Sequence, residues 1–335
     1  MRLVTFKSAG RERVGALLAP ATGRQERVVD LNAAAKAMRR RTGTASRIEA
    51  IDDMVGLLEA GSGGMAAARR ALRFVERAIR DTGGKVPQAL QSAVFDRARV
   101  RLSAPIPRPP KFVCVGLNYR DHAIEAGLDI PDVPVLFSKF PGAVIGPADR
   151  IVMPRVSEKV DYEGEFTIVI GRRGRHVPKS RALDYVAGYT IVNDVSARDY
   201  QRRTSQWLVG KTFDTFGVMG PAIVTADEVP NPRGLGIRTW VNGELRQSSD
   251  TSQLIFSVQD LIWDISRIWT LEPGDVIATG TPSGVGAYFS PPRFLKPGDR
   301  VRIEVEKIGV LQNTTVAEKK PARRQTKAAR GRRSR

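Results

Sequence analysis

Three acidic residues are the strongest candidates for chemistry in this chain: Glu163 and Glu165 in DYEGEFTIVIG, and Asp194 in GYTIVNDVSARDYQ. The Glu-x-Glu pair opens a β-branched run, and side chains two residues apart on a strand project from the same face. TIVN before Asp194 also favours a strand, so a neighbouring strand can bring the third carboxylate to the same point. Adjacent like charges require a cation, and oxygen-only ligands favour Mg²⁺ or Mn²⁺. One Cys and two His in the whole chain are too few for an ordinary zinc site.

The alternative interpretation of Glu-x-Glu is a pair of solvated carboxylates on an exposed strand. Against it, Phe166, Ile168 and Ile170 follow in a run that is hydrophobic on both faces, which is typical of a buried strand. A buried carboxylate has to be paired, protonated or bound to a metal. This context favours the metal.

Six sequence blocks, which include the two quoted above, stand in a specific order along the chain. They are KFVCVGLNYRDHAIEAG (111–127), PVLFSKFPGAVIGP (134–147), DYEGEFTIVIG (161–171), GYTIVNDVSARDYQ (188–201), GKTFDTFGVMGP (210–221) and GDVIATGTPSGVG (274–286). In order and spacing they resemble the fumarylacetoacetate hydrolase family. The resemblance implies that carboxylates matching Glu163, Glu165 and Asp194 hold the metal, and that a 2-oxo or β-diketo acid chelates it.

His122 and Glu125 stand three residues apart in NYRDHAIEAG, a segment of helical composition, so their side chains share one helical face. A carboxylate that fixes the imidazole makes histidine a suitable base near neutral pH. The alternative is an ordinary surface ion pair. The resemblance favours the catalytic interpretation and implies that this helix is a lid, with Gly127 and Pro131 flanking a hinge.

Other polar residues match family positions near the substrate. The resemblance implies that Lys211 stabilises a developing enolate, that Gln201 binds substrate and that Arg198 supports the site from behind. TGTPSGVG lacks the Gly-Lys-Ser/Thr ending of a nucleotide loop, so we expect its backbone amides and the Thr281 hydroxyl to bind the substrate carboxylate. Lys139 stands where relatives have a Lys-Pro step, and we leave it outside the catalytic set.

The net charge of +19 is unevenly distributed. Residues 319–335 hold nine basic residues and no acid, residues 1–105 hold 20 basic and 10 acidic, and residues 106–318 hold 25 of each. We therefore predict a small N-terminal α/β domain over 1–105, a catalytic domain over 106–318 and a basic disordered tail over 319–335. The proline-rich APIPRPPK at 104–111 is the predicted linker.

The remaining chain favours an α+β, mostly β fold, and the resemblance implies a mixed β-sandwich roll. RLVTF, VGALLA and VVDLN predict strands, while SRIEAIDDMVGLLEAG, MAAARRALRFVERAIRDTG and SQLIFSVQDLIWDISRIW predict helices. In the last of these, Leu254, Ile255, Val258, Ile262 and Ile265 form an apolar stripe. Asn-Gly in WVNGELRQ predicts a hairpin turn.

Composition and apolar runs bear on whether the chain crosses a membrane and on its cellular compartment. No apolar run approaches the roughly 20 residues that span a bilayer, and Cys114 stands alone in FVCVG as a predicted buried residue, which fits the reducing cytoplasm. Relatives by resemblance dimerise, so we expect a homodimer.

The leading hypothesis is an Mg²⁺- or Mn²⁺-dependent hydrolase of C–C bonds in 2-oxo or β-diketo acids. The alternatives are an isomerase of unsaturated 2-oxo or 2-hydroxy dicarboxylates and an oxaloacetate decarboxylase. The non-enzymatic alternative is a basic nucleic-acid-binding protein, which the neutral central region disfavours.

Overall fold

The computed structural model describes residues 1–18, 26–147 and 149–319. The strands are β1 Arg2–Ser8, β2 Arg11–Leu18, β3 Arg27–Asp30, β4 Val94–Asp96, β5 Arg101–Leu102, β6 Phe112–Gly116, β7 Val135–Ser138, β8 Val144–Ile145, β9 Arg150–Met153, β10 Val160–Asp161, β11 Gly164–Ile170, β12 Val186–Asp194, β13 Ser196–Ala197, β14 Gly217–Thr225, β15 Gly236–Val241, β16 Glu244–Asp250, β17 Val276–Ala278, β18 Arg300–Val305 and β19 Gly309–Ala317. The α-helices are α1 Leu31–Thr42, α2 Met54–Glu59, α3 Gly61–Asp81, α4 Arg120–Ala126, α5 Arg198–Gln201, α6 Leu208–Lys211 and α7 Val258–Ile268. Short 3₁₀ turns are Arg47–Ala50, Gln88–Leu90, Arg97–Arg99, Pro141–Ala143, Lys179–Tyr185, Ala226–Glu228, Thr251–Gln253 and Gly286–Tyr288.

A large sheet runs in the order β4-β3-β2-β1-β14-β12-β11-β17-β6-β7, with β5 beside β1 and β8 beside β14. A five-stranded sheet has the order β16-β15-β18-β19-β9, and β10 pairs with β13. Most pairs are antiparallel, but β6–β17, β8–β14 and β9–β19 are parallel. The fold is therefore α+β with mixed sheets, as predicted.

Each face of the large sheet is covered by apolar packing. On one face, β11, β12 and β14 pack on β15, β18 and β19, where Phe166, Ile191 and Ile303 share a core. On the other face, Val169 and Val192 share a core with the N-terminal helices. Burial on both faces explains why the sequence of β11 is continuously apolar.

Strands β11 and β12 position the acidic residues. They pair antiparallel with Gly164 opposite Asn193 and Glu165 opposite Val192. The beginning of β11 therefore lies beside the end of β12, and the Asp194 N–H donates to the Glu163 carbonyl at 2.9 Å. By strand alternation, Glu165 projects from the same face as Val169 and Asp194 from the same face as Val192. The sequence prediction that a neighbouring strand supplies the third carboxylate is confirmed.

The other element predictions are mostly confirmed, with shifted boundaries. The first long helical segment contains a 3₁₀ turn and the short helix α2, because Asp53 caps a new helix by accepting the Gly56 N–H. Helix α7 begins at Val258 with Ser257 as its cap, so Leu254 and Ile255 precede the helix and the predicted stripe is shorter. Asn242 and Gly243 both have positive φ, which confirms the hairpin turn. Cys114 is buried as predicted.

The N-terminal segment continues the large sheet, because β1 pairs with β14 at Leu3 and Ile223. The division of the chain at residues 105 and 106 stays a prediction. The tail prediction falls outside the described residues from 320 onward. Across the described ranges, every helix is too short or too polar to cross a bilayer. The homodimer and the cytoplasmic location also stay predictions.

Candidate metal centre and active site

The three predicted carboxylates meet at one buried point. Glu163, Glu165 and Asp194 each offer an oxygen, and these oxygens lie within 4.8 Å of one another. The three residues are between 0% and 5% exposed. Solvent therefore does little to screen their mutual repulsion, which has to be balanced within the site.

Two buried lysines and an arginine surround the carboxylates. Lys211 Nζ donates to Glu163 Oε2 at 2.6 Å and to Asp194 Oδ2 at 2.9 Å. Lys139 Nζ lies 2.6 Å from Asp194 Oδ1 and donates to the Val195 carbonyl at 3.0 Å. Arg198 Nη1 lies 2.6 Å from Glu163 Oε1. The cluster is thus a network in which cations and carboxylates alternate.

The charges of the network shift the pKa values of its members in different directions. Burial by itself raises the pKa of Glu163, but the charges of Lys211 and Arg198 outweigh it and lower that pKa to about 2. Burial also raises the pKa of Glu165, and the Asp194 and Glu163 charges raise it further because Lys211 compensates only in part. Burial lowers the pKa of Lys211, but Asp194 and Glu163 more than reverse this and keep it an ammonium. When all three carboxylates are ionised, the negative charge of Glu165 is therefore the least compensated.

The donor set fits a hard divalent cation. All three donors are carboxylate oxygens, the ligands preferred by Mg²⁺ and Mn²⁺. Asp194 Oδ1 is buried, and its contact with Lys139 lacks hydrogen-bond angles, so within the described chain it accepts no hydrogen bond. A divalent cation would supply the positive charge needed to compensate Glu165, and it would give Asp194 Oδ1 a partner.

The glycine-rich loop at 279–286 binds the protein's own carboxylates. The Gly280 N–H donates to Glu165 Oε2 at 2.9 Å, and the Gly284 N–H donates to Glu125 Oε1 at 2.8 Å. The Gly286 N–H donates to Asp161 Oδ1 at 2.8 Å. We expected these amides to bind the substrate carboxylate, but the structure gives them to side chains that build the site.

Asp161 connects this loop to the arginine of the cluster. Its Oδ2 accepts from Arg198 Nε at 2.9 Å and from the Ala287 N–H at 3.0 Å. Arg198 Nη1 also donates to Gln201 Oε1 at 3.0 Å. Arg198 therefore contacts Glu163 directly and also lines the cavity described below, and its supporting role stays a prediction.

His122 and Glu125 form the predicted pair on α4. His122 Nδ1 lies 3.1 Å from Glu125 Oε2, while the other Glu125 oxygen accepts from Gly284. The Tyr288 ring contacts the imidazole edge to face at 5.7 Å between centroids. Because Glu125 accepts the Nδ1 hydrogen, Nε2 is the nitrogen left to act on a substrate.

A cavity of about 180 Å³ joins these groups. Its lining residues include both polar and apolar side chains: Val115, Gly116, Leu117, His122, Leu128, Phe137, Glu163, Glu165, Arg198, Gln201, Arg202, Trp207, Lys211, Thr281 and Tyr288. This volume lies below the roughly 300–1,000 Å³ of ordinary ligand pockets. The cavity therefore suits a small substrate.

The predicted polar residues that line the cavity differ in which hydrogen-bond donors remain available to a substrate. The Gln201 carbonyl oxygen is taken by Arg198, which leaves its amide NH₂ as a donor. The Thr281 hydroxyl donates to the Gly164 carbonyl at 3.0 Å and accepts from Gln247 at 2.8 Å, so its hydrogen is already used. Lys211 spends two of its three donors on carboxylates and keeps one. The substrate roles of these residues stay predictions.

Sequence reasoning missed two residues of the network, Lys139 and Asp161. Lys139 is 2% exposed and contacts Asp194, although we had left it out. Its partners Asp194 and Val195 are 55 and 56 residues further on, so local sequence carried no signal except a lysine within an apolar run. Asp161 had a clearer signal, because it precedes the Glu-x-Glu pair by two residues in the same block.

Comparison with known proteins shows which family this chain resembles. Residues 111–316 match the family model described as fumarylacetoacetate (FAA) hydrolase C-terminal. The chain is 43% identical over 318 residues to the Bos taurus protein named oxaloacetate tautomerase FAHD2B, mitochondrial, covering 94% of this chain and 92% of the relative. It is 47% identical over 241 residues to oxaloacetate tautomerase YisK of Bacillus subtilis, covering 71% and 80%.

A solved structure gives the same fold. Maleylpyruvate hydrolase from Sphingobium sp. SYK-6, solved with manganese(II) and pyruvate, has a TM-score of 0.70 and 29% identity, covering 95% of this chain and 100% of its own. These relatives are enzymes, which sets aside a purely nucleic-acid-binding protein. By its sequence match, its fold and its relatives, the chain belongs to the fumarylacetoacetate hydrolase family and is an enzyme of that family.

Proposed function

We propose that this enzyme interconverts the keto and enol forms of oxaloacetate, using a divalent cation held by Glu163, Glu165 and Asp194. The observation that carries the proposal is the small cavity of about 180 Å³ that joins the carboxylate cluster to His122. A four-carbon 2-oxo acid suits this volume better than a long acylpyruvate. The names of the cattle and bacterial relatives support oxaloacetate over C–C bond hydrolysis, our leading hypothesis from sequence.

The enol of oxaloacetate is an unsaturated 2-hydroxy dicarboxylate, so this reaction belongs to the isomerase alternative. A bound divalent cation would polarise the 2-oxo group, with the 2-oxo oxygen and one C1 carboxylate oxygen as its ligands. The pyruvate found with manganese(II) in the Sphingobium enzyme is a 2-oxo acid of the same head group. Gln201 orients the acid through its free amide NH₂.

His122 moves the proton in this proposal. Glu125 holds the Nδ1 hydrogen, so Nε2 takes a proton from C3 of the keto form while the C3 electron pair forms the C2–C3 double bond. The remaining Lys211 hydrogen stabilises the negative charge that develops at the 2-oxo oxygen. The imidazolium then returns its proton to that oxygen, which completes the enol. The same steps in reverse give the keto form.

The test is a substrate panel with matched products. The full chain is assayed with Mg²⁺, with Mn²⁺ and with EDTA on enol-oxaloacetate, on an acylpyruvate and on fumarylacetoacetate, following enol absorbance, pyruvate release and C–C cleavage separately. We expect metal-dependent loss of the enol without matching pyruvate formation. Cleavage of an acylpyruvate with no acceleration of tautomerisation would return the function to hydrolysis, and stoichiometric pyruvate would indicate decarboxylation.

A further inference from the structure

Three cationic side chains line the cavity, and they differ in how far the acidic side chains of the site pair with them. Arg198 contacts Asp161, Glu163 and Gln201. Lys211 donates to two of the three clustered carboxylates. Both residues are at most 6% exposed. The carboxylates of the site balance their charge, although Lys211 keeps one hydrogen and Arg198 Nη2 is buried without a hydrogen-bond partner among the described residues.

Arg202 is the exception. It also lines the cavity, directly after α5, which carries Arg198 and Gln201. Positions 198, 201 and 202 are spaced by three and four residues, so they share one side of this helical turn. The Arg202 guanidinium lies 5.9 Å from the centre of the Tyr288 ring, which contacts His122. Within the described ranges it forms no ion pair with an acidic side chain, and it is exposed at the rim.

The charges of the site indicate that the second carboxylate of a dicarboxylate substrate requires an additional positive charge. The three clustered carboxylates face two lysines, and Arg198 cancels Asp161, so this part of the site, counted without the His122–Glu125 pair, carries one excess negative charge when all its groups are ionised. A divalent cation turns this into one excess positive charge. The carboxylate that chelates the metal then neutralises it. A second carboxylate on the substrate enters a site without charge to spare, unless Arg202 supplies it.

We propose that Arg202 binds the second carboxylate of the substrate and selects 2-oxo dicarboxylates over 2-oxo monocarboxylates. This inference rests on the proposed function, because oxaloacetate differs from pyruvate by that carboxylate. The guanidinium forms paired hydrogen bonds with a carboxylate, and Tyr288 supports its plane from one side. Its place beside the His122 contact puts the bound carboxylate next to C3, the carbon that exchanges its proton.

The test compares malate with lactate on the Mn²⁺-loaded full chain by isothermal titration calorimetry. Both ligands chelate a metal through a hydroxyl and the neighbouring carboxylate, but only malate has a second carboxylate. In Arg202→Gln we expect malate to bind about 10- to 100-fold more weakly, the loss of a charged hydrogen-bonded pair, with lactate and Mn²⁺ affinities unchanged. The KM for oxaloacetate rises by a similar factor.

Arg203→Gln is the matched control, because Arg203 is the adjacent arginine and stacks on Tyr200 at 3.5 Å. We expect it to bind both ligands like the wild type. Equal weakening of malate and lactate in Arg202→Gln, no change, or the same loss in Arg203→Gln would overturn the proposal. Arg202-dependent binding of malate in an enzyme that leaves oxaloacetate tautomers untouched would support the dicarboxylate site and refute the proposed function separately.

Discussion

Glu165→Gln is expected to stabilise the metal-free protein while abolishing its metal site. Glu165 is 1% exposed and carries the least compensated charge of the cluster. The glutamine keeps a carbonyl oxygen to accept the Gly280 N–H, which Glu165 now accepts at 2.9 Å. The substitution therefore removes a charge and preserves the local hydrogen bond.

The size of the effect follows from the geometry. At 4.8 Å and an effective dielectric constant of about 20, one pair of like charges costs roughly 3.5 kcal/mol. Glu165 is repelled by two carboxylates and attracted by one ammonium, so about one such pair remains unbalanced. After relaxation we expect a gain of about 1–3 kcal/mol, which raises Tm by about 1–4 °C for a chain of 335 residues.

The assay is thermal unfolding in EDTA across a range of pH. Because burial and neighbouring charges raise the folded-state pKa of Glu165 above 4.5, the folded wild type holds a proton that the unfolded chain has lost. Wild-type stability therefore falls as pH rises from 4.5 through the raised pKa, and the advantage of Glu165→Gln grows over the same range. At low pH the carboxyl group is protonated in both states, so the two proteins converge.

Mn²⁺ should reverse the order. At 100 times its dissociation constant a ligand adds about 2.7 kcal/mol to the wild type, and the variant should gain much less. Glu158→Gln, at an exposed position outside the cluster, is the control and should match the wild type throughout. A Glu165→Gln protein that unfolds at a lower Tm than wild type in EDTA, or that gains the same Tm from Mn²⁺, would refute the electrostatic reasoning.

Three further predictions test other parts of the site. His122→Gln should lower kcat by roughly 100-fold or more while Mn²⁺ affinity is unchanged, as seen by stopped-flow assay and calorimetry. Lys139→Met should destabilise the metal-free protein by about 3–5 kcal/mol, because it removes a buried partner of Asp194, and Tm in EDTA measures this. Gly284→Ala should lower Tm and activity together, because Gly284 has φ +97° and a Cβ would lie 1.9 Å from the Arg246 carbonyl oxygen. An unchanged value in any of these three experiments would contradict the corresponding role.

The sequence allowed prediction of those features that depend on local periodicity. Glu165 lies at the start of β11 with Glu163 immediately before the strand, and His122 and Glu125 share a helix turn, so the spacing in sequence placed each pair together. The destination of the loop amides was not predictable in this way, because glycine spacing indicates a turn without showing which anion it binds. Lys139 was missed for a related reason, since its burial depends on contacts with Asp194 and Val195 that only the folded sheet creates.

The loop at 279–286 links three separate parts of the candidate site through its backbone amides. One backbone segment donates hydrogen bonds to Glu165, the proposed metal ligand, to Glu125, the partner of His122, and to Asp161, the partner of Arg198. A shift of this segment would disturb all three at once, whereas rim residues such as Arg202 and Trp207 lie outside the loop. We therefore expect that selection for a new substrate will accept changes at the rim and reject them in the loop. Relatives of this chain are named as tautomerases and as a hydrolase, so the family accommodates different reactions, as this division of the site would allow.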